Sequence, residues 1–307
     1  MSAVHVPVLF KEVIDSFSVF EKRADLVYFD GTFGRGGHAI GVFEKYRPVK
    51  MFASDQDLIA VEHAETHFPQ VEITHENFLK FAQNHQIKGT KFDMILLDLG
   101  VSSPQLDVAE RGFSFNKDGP LDMRMNQKSE LTAAKIINEF SSDDLMEIFK
   151  EFGEVPNPFH VVKAIVKDRE TKSFDATLQL AGLIERVDGW QKKGFHPATQ
   201  YFMALRLVVN QELHVVEKAL PLLIEQLSDG GRITVITFHS LEDRLIKNIF
   251  KSDQTGFPVS KKVIAPSDEE CKINPRARSA KLRVFQKGPE PLKPDKFALR
   301  RAQRNQS

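Results

Sequence analysis

The sequence predicts an α/β fold: a doubly wound parallel sheet with an all-helical domain inserted into one of its crossovers. Three observations carry that expectation. Short apolar runs alternate with helix-like stretches through the first hundred residues. From Leu131 to Leu213 helix then follows helix with no strand candidate between. The sheet pattern resumes with an apolar, β-branched run at Arg232. Alternating strands and helices imply right-handed crossovers and a parallel sheet covered on both faces. Such a crossover needs roughly a dozen to thirty residues, so the connection spanning 107–213 must hold a unit of its own. The expected division is one discontinuous domain, 1–106 with 214–307, and an inserted helical domain at 107–213.

Leu26–Asp30 reads as a buried strand ending in an acid, followed by a glycine-rich turn and a helix over Ala39–Tyr46. Met51–Asp55 is a second strand ending in an acid, with a helix over Leu58–His67 after it. Val71–Thr74 is a third strand, and Phe92–Asp98 is a fourth and the most apolar so far. Gly100 to Gly119 is loop-like, with S-S-P and K-D-G-P turn signals. The inserted helices are expected at Leu131–Phe140, Leu145–Phe152 with Ser142 as N-cap, Phe159–Arg169, Ala176–Val187 and Pro197–Leu213. His214–Leu227 is a further helix, closed by Asp229-Gly230-Gly231, and Arg232–Phe238 is a strand. From about Phe250 the chain is loop-like, with candidate strands at Lys262–Ala265 and Leu282–Phe285.

Composition bounds the class. The 307 residues are 41% hydrophobic and 27% charged, ordinary values for a soluble globular protein. One cysteine, Cys271, cannot form an internal disulfide, so nothing points to an oxidising compartment. No apolar run approaches a membrane span, and no signal peptide is read at the N-terminus, so the cytoplasm is the expected location. Oligomeric state is open, a homodimer included. The formal net charge is zero, which taken alone argues against a nucleic-acid partner. The average conceals two unlike parts: Cys271 to Ser307 carries eleven Lys/Arg against two Asp/Glu, leaving the preceding 270 residues at −9. A basic segment containing N-P-R-A-R-S-A-K-L-R suits a phosphate backbone.

The first strand runs into D-G-T-F-G-R-G-G-H, Asp30 to His38. An acid at a strand end with G-x-G four residues on is the pattern of a loop that binds S-adenosylmethionine in methyltransferases. Gly34 and Gly36 lack a Cβ, so the backbone can turn tightly and approach a cofactor. The ligand of such a sheet sits beyond the carboxyl ends of the strands. A dinucleotide loop, G-x-G-x-x-G, would fit glycines 31, 34, 36 and 37 only under strain, which leaves a nucleotide-dependent oxidoreductase as the rival enzyme. A non-catalytic RNA-binding module is the rival outside enzymes.

Asp55, at the end of the second strand, is placed to accept hydrogen bonds from ribose hydroxyls, or to cap the helix that starts near Leu58. Phe78 follows the third strand, where an aromatic can flank an adenine, although by itself it reads as core. Asp98 ends the fourth strand in D-L-G-V-S-S-P and points a carboxylate at the place where a methyl acceptor must sit. Methyl transfer is an in-line displacement dominated by positioning, and needs no metal. An amine acceptor must also shed a proton, which Asp98 could orient and receive. The residues themselves leave the acceptor atom open. His63 and His67 lie at i, i+4 without the glutamate spacing of a zinc protease, and His239-Ser240 lacks a nucleophile elbow.

Along nearly its whole length the chain resembles the bacterial RsmH (MraW) methyltransferases. The resemblance rests on H-V-P-V-L at His5, D-G-T-F-G-R-G-G-H at Asp30, and F-D-M-I-L-L-D-L-G-V-S-S-P-Q-L-D at Phe92. It continues through E-R-G-F-S-F-N-K-D-G-P-L-D-M-R-M at Glu110, H-P-A-T at His196 and A-L-R-L-V-V-N-Q-E-L at Ala204. I-T-F-H-S-L-E-D-R at Ile236 and N-P-R-A-R-S-A-K-L-R at Asn274 complete it. It implies a class I S-adenosylmethionine-dependent methyltransferase fold, Rossmann-like, with a helical domain inserted after the fourth strand. It implies N4-methylation of a cytidine in the decoding region of 16S rRNA, within the small ribosomal subunit. Carried residue by residue, cofactor contacts fall on Gly36, Gly37, His38, Asp55, Phe78, Asp98 and Gln105, beside Gly34 of the glycine loop. Arg111, Arg124, Arg206, Arg276 and Arg278 are the basic residues expected to face RNA. One stretch departs from the family's Y-G-E-E and Arg-rich helix start: Phe152 to His160 reads F-G-E-V-P-N-P-F-H. That leaves an RNA contact at this helix start unsupported.

Overall fold

The computed structural model describes residues 7–190, 196–260 and 262–291. A sheet of seven strands runs in the order β3-β2-β1-β4-β5-β7-β6. Its strands are β1 (Val27–Asp30), β2 (Lys50–Asp55), β3 (Val71–His75), β4 (Phe92–Asp98), β5 (Leu227–Thr237), β6 (Gly256–Pro258) and β7 (Lys281–Lys287). β3, β2, β1, β4 and β5 pair in parallel, and β7 runs antiparallel between β5 and β6. This is the doubly wound class I arrangement that the sequence leads one to expect. The order reverses between β1 and β4, and a ligand crevice opens at the carboxyl ends of strands at such a switch.

Why these segments are central strands follows from their side chains. β4 is Phe-Asp-Met-Ile-Leu-Leu-Asp, with its first six residues buried. A strand covered by helices on both faces reads as a continuous apolar run, not an alternating one. One face of the sheet packs on α1 (Phe10–Ser16) and α2 (Gly37–Tyr46) through Val13, Phe17, Val42 and Tyr28. The other packs on α4 (Phe78–Ile87) and α11 (Glu212–Gln226) through Phe29, Phe81, Leu220 and Ile233, joined by Ile246 and Phe250 of α12 (Ser240–Ser252). Phe29 and Phe81 stack with ring centroids 3.9 Å apart. α3 (Leu58–His67) follows β2, and the short α5 (Ser103–Asp107) follows β4.

A separate apolar core lies within the long connection. It is formed by α6 (Ala133–Glu139), α7 (Ser142–Glu151), α8 (Phe159–Arg169), α9 (Thr177–Asp188) and α10 (Ala198–Val209), centred on Ile136, Phe149, Ile165, Ile184 and Tyr201. Leu121 and Met123 of the preceding loop seal one side. α13 (Asp268–Ile273) and a turn of 3-10 helix at Pro275–Ser279 lead into β7. Among the described residues, no helix is long and apolar enough to cross a membrane.

Several local expectations need correction. Asp229-Gly230-Gly231 does not close a helix: it lies in β5, where the register with β4 slips between Phe92 and Met94. Gly230, at φ 77°, absorbs that irregularity. Helices α1, α4, α5 and α12 fall where no helix was expected. The expected strand at Lys262–Ala265 shrinks to one bridge, Ile264 with Leu282.

Candidate active site

The carboxyl ends of β1, β2 and β4 open into a cavity of about 770 Å³. Gly34, Gly37, His38, Asp55, Phe78, Asp98, Gln105 and Arg276 all line it. Gly36 does not. It adopts φ 73°, and a Cβ there would lie 2.7 Å from Phe33 and 3.0 Å from Phe68. Its role is to turn the loop while rings pack against it. Gly37 heads α2, and a Cβ there would meet Pro7 at 2.5 Å. The absence of a side chain at Gly37 therefore lets Pro7 lie against the loop, where it lines the cavity.

Three carboxylates end the three strands. Asp55 accepts the Gly34 amide at 2.8 Å and the Asp57 amide at 2.9 Å, which ties the glycine loop to β2. Burial lifts its pKa to about 6. Asp30 is 2% exposed, accepts the Tyr28 hydroxyl at 3.0 Å and the Thr32 amide at 3.1 Å, and is raised to about 7 by burial. Asp98 is raised to about 8, by burial first and then by the charges of Asp30 and Glu242. Its side chain is 28% exposed, through the cavity, yet Oδ1 is sealed and has no hydrogen-bond partner. Oδ2 stands 3.7 Å from His38 Nδ1. The Asp98 amide donates to Thr32 Oγ1 at 2.6 Å, so the turn after β1 fixes the end of β4. The exposed part of this carboxylate, beside a glycine-lined cavity, suits a cationic group with donors of its own.

His38 is buried, with Nε2 2.9 Å from the Val8 carbonyl and its ring stacked on Phe10. Phe78 is at once cavity wall and core, 7% exposed. The cap of α3 is Asp57, not Asp55: Asp57 Oδ1 accepts the Ile59 amide at 3.1 Å. Its Oδ2 accepts from Gln105 Nε2 at 2.9 Å and Arg111 Nη1 at 2.7 Å. Gln105 Oε1 in turn accepts the Ser102 amide at 3.0 Å, so both ends of its amide are engaged. Asp57, Thr32 and Phe238, which also lines the cavity, are site residues that sequence reasoning missed. The signal for Asp57 was the cap position immediately before α3.

The arginines divide. Arg111 is 5% exposed and bonds Asp57 and the carbonyls of Arg124 and Met125. Arg124 grips Asp122 and the carbonyls of Gln127 and Ser129. Arg206 makes a two-pronged pair with Glu212 at 2.8 and 3.1 Å. All three have carboxylate or carbonyl partners within the chain; Arg111 and Arg206 are largely withdrawn from water, while Arg124 stays part-exposed. Arg276 and Arg278 are exposed, and Arg276 pairs with Asp107 at 2.7 Å on the cavity rim. In the departing stretch, Val155 is buried in the helical core and Phe159 is 50% exposed. Glu154 is kept, and bonds Ser240 and Arg244 of α12.

Known proteins resemble the chain closely. The ribosomal RNA small subunit methyltransferase H of Bdellovibrio bacteriovorus is 56% identical over 293 residues, covering 93% of this chain and 88% of that protein. The protein of the same name from Stenotrophomonas maltophilia is 42% identical over 93% of this chain and 94% of its own length. That from Coxiella burnetii is 39% identical over 92% of this chain and 98% of its own. The model of the MraW methylase family matches residues 2–288, and the chain belongs to that family.

Proposed function

We propose that this protein methylates the exocyclic N4 of a cytidine in the decoding region of 16S rRNA, within the small ribosomal subunit. The carrying observation is Asp98, a carboxylate at the end of β4 that lines the cavity with its side chain 28% exposed. The cofactor is S-adenosylmethionine, which when bound supplies an electrophilic methyl group on a cationic sulfonium.

In this reading the glycine loop and Asp55 hold the nucleoside part of the cofactor, with Phe78 and the Gln105 amide as neighbouring walls. Asp98 orients the attacking amine and accepts the proton it must lose. Burial and the charges of Asp30 and Glu242 hold Asp98 at about 8 in the unliganded chain, and a cationic sulfonium beside it favours the carboxylate form that can accept a proton. The helical unit forms the far side of the RNA site, and the cytidine must enter unstacked for its amine to reach the cavity. The reading puts the chain in the cytoplasm with its ribosomal substrate.

Incubation with small ribosomal subunits and labelled S-adenosylmethionine, followed by nuclease digestion and mass spectrometry, tests the proposal. Label on N4 of one cytidine is expected. Label on another base, or none, overturns the proposed target. Calorimetry separates the rival: binding of a nicotinamide dinucleotide in place of S-adenosylmethionine would support an oxidoreductase.

A further inference from the structure

Trp190 is the chain's one tryptophan, and it stands just past the end of α9 with 54% of its surface exposed. One exposed aromatic is ordinary by itself, and what distinguishes this one is how it is held and what it adjoins. This ring is held. Its indole Nε1 donates to Glu185, and its edge meets the His196 ring at a centroid distance of 5.0 Å and 73°. His196 lies at 4.6 Å and 33° from Phe115, and Phe115 packs edge-on against the buried Phe202. Phe202 thus anchors to the helical core a row of three rings that ends in exposed Trp190.

The row joins the cavity rim. Two residues beyond Phe115, the Lys117 ammonium donates to the Asp107 carbonyl at 3.3 Å. Asp107 lines the cavity and pairs with Arg276, which lines it too. From the rim outward the order is Arg276, Lys117, Phe115, His196, Trp190: cations first, then rings. Cations followed by stacking faces are how proteins take up single-stranded nucleic acid. The nearby carboxylates are engaged, Glu185 by the indole and Asp188 by the Tyr201 hydroxyl at 2.6 Å.

We propose that this row is a stacking platform for an unpaired base of the substrate RNA, flanking the nucleotide that enters the cavity. The inference rests on the RNA-methylation reading above. Trp190 presents the stacking face, braced by His196, while Lys117 and Arg276 neutralise the phosphates between platform and cavity. The platform selects for single-stranded RNA, because a paired base offers no free face.

The single tryptophan makes the test direct. The full chain is titrated with oligoadenylate while its intrinsic tryptophan fluorescence is followed. Quenching is expected, as is loss of affinity in Trp190→Ala by roughly fivefold or more, the usual worth of one stacked base. Trp190→Phe should keep most of the affinity. The dependence of affinity on salt should be the same in all three, because every phosphate-facing cation is kept. With small subunits as substrate, Trp190→Ala should raise KM and leave kcat unchanged. Unchanged fluorescence together with wild-type affinity in Trp190→Ala overturns the platform. So does a fluorescence change that follows protein concentration and not RNA, since another protein surface would then cover the ring. A wild-type chain that quenches with RNA but methylates no subunit defeats the reaction and leaves the platform standing.

Discussion

Arg111 and Asp57, 54 residues apart in sequence, meet in an ion pair 2.7 Å long whose side chains are 5% and 9% exposed. The pair joins the cap of α3, one residue from the cavity wall at Gln56, to the loop that enters the helical unit. Asp57 also offers its amide to Asp55, so the acid read as a cofactor ligand is positioned by the same residue.

Arg111→Ala should therefore act on stability. Removing one partner of a buried pair leaves an unpaired charge and costs about 3–5 kcal/mol. Thermal or denaturant unfolding should show that loss. RNA affinity of the folded variant should keep its full salt slope. A slope reduced by about one would instead mean that Arg111 contacts a phosphate, as the sequence suggested.

The glycines of the loop should differ in sensitivity. Gly34 has φ 54° and open space around a Cβ, so Gly34→Ala meets only backbone strain of about 1–2 kcal/mol. Gly36→Ala meets comparable strain and two aromatic rings as well. Calorimetric titration with S-adenosylmethionine should rank the losses Gly36→Ala above Gly34→Ala. The reverse order would mean that Gly34 approaches the cofactor more closely than the loop geometry implies.

What the sequence disclosed tracks how local the physics is. Strand β4 was bounded to the residue, because a strand buried on both faces reads as a nearly continuous apolar run and Asp98 marks its end. The inserted helices were located within a few residues from their periodicity, although the cap of α7 is Ser141 and not Ser142. Helix α12 was missed because its cap is His239, a poor signal by type, acting in a capping box with Glu242. α1 starts from Leu9 at φ 53° with no side-chain cap, so nothing announces it. The arginines are hard to place from sequence for a different reason. Arg206 and Arg276 look alike in sequence, and only the fold decides that one meets Glu212 in the interior and the other stays exposed at the rim.

Asp98 predicts a pH dependence. Its pKa is raised from 3.8 to about 8, so between these values the folded chain holds a proton that the unfolded chain has released. Its stabilising contribution is complete below about pH 4 and is lost as pH rises through about 8. Asp30, at about 7, and Asp55, at about 6, add the same sign over narrower windows. Asp98→Asn should flatten the decline, its melting temperature gaining on wild type by several degrees between pH 5 and 8, on the order of 2–4 °C per kcal/mol. A cationic cofactor beside Asp98 favours the carboxylate. Binding at pH 7 should thus release a proton, seen as a heat that varies with the ionisation enthalpy of the buffer, and Asp98→Asn should abolish that variation.

The basic C-terminal segment divides at the end of the sheet. β7 ends at Lys287, and residues 292–307, outside the described range, hold five Lys/Arg and one Asp. Truncation after Pro291 leaves every described strand in place, and the melting temperature should stay within a degree or two. If the distal stretch tracks phosphates, each phosphate it ceases to neutralise lowers the salt slope of RNA binding by about 0.7 for single strands. A fall of roughly one to three in slope is expected, with affinity dropping most at low salt. Arg276→Ala, on the cavity rim, should lower the slope by the share of a single phosphate and also raise KM if the target nucleotide enters by that rim, as proposed. If truncation changes neither affinity nor slope, RNA attraction belongs to the exposed arginines before β7, and the distal stretch takes no part in it.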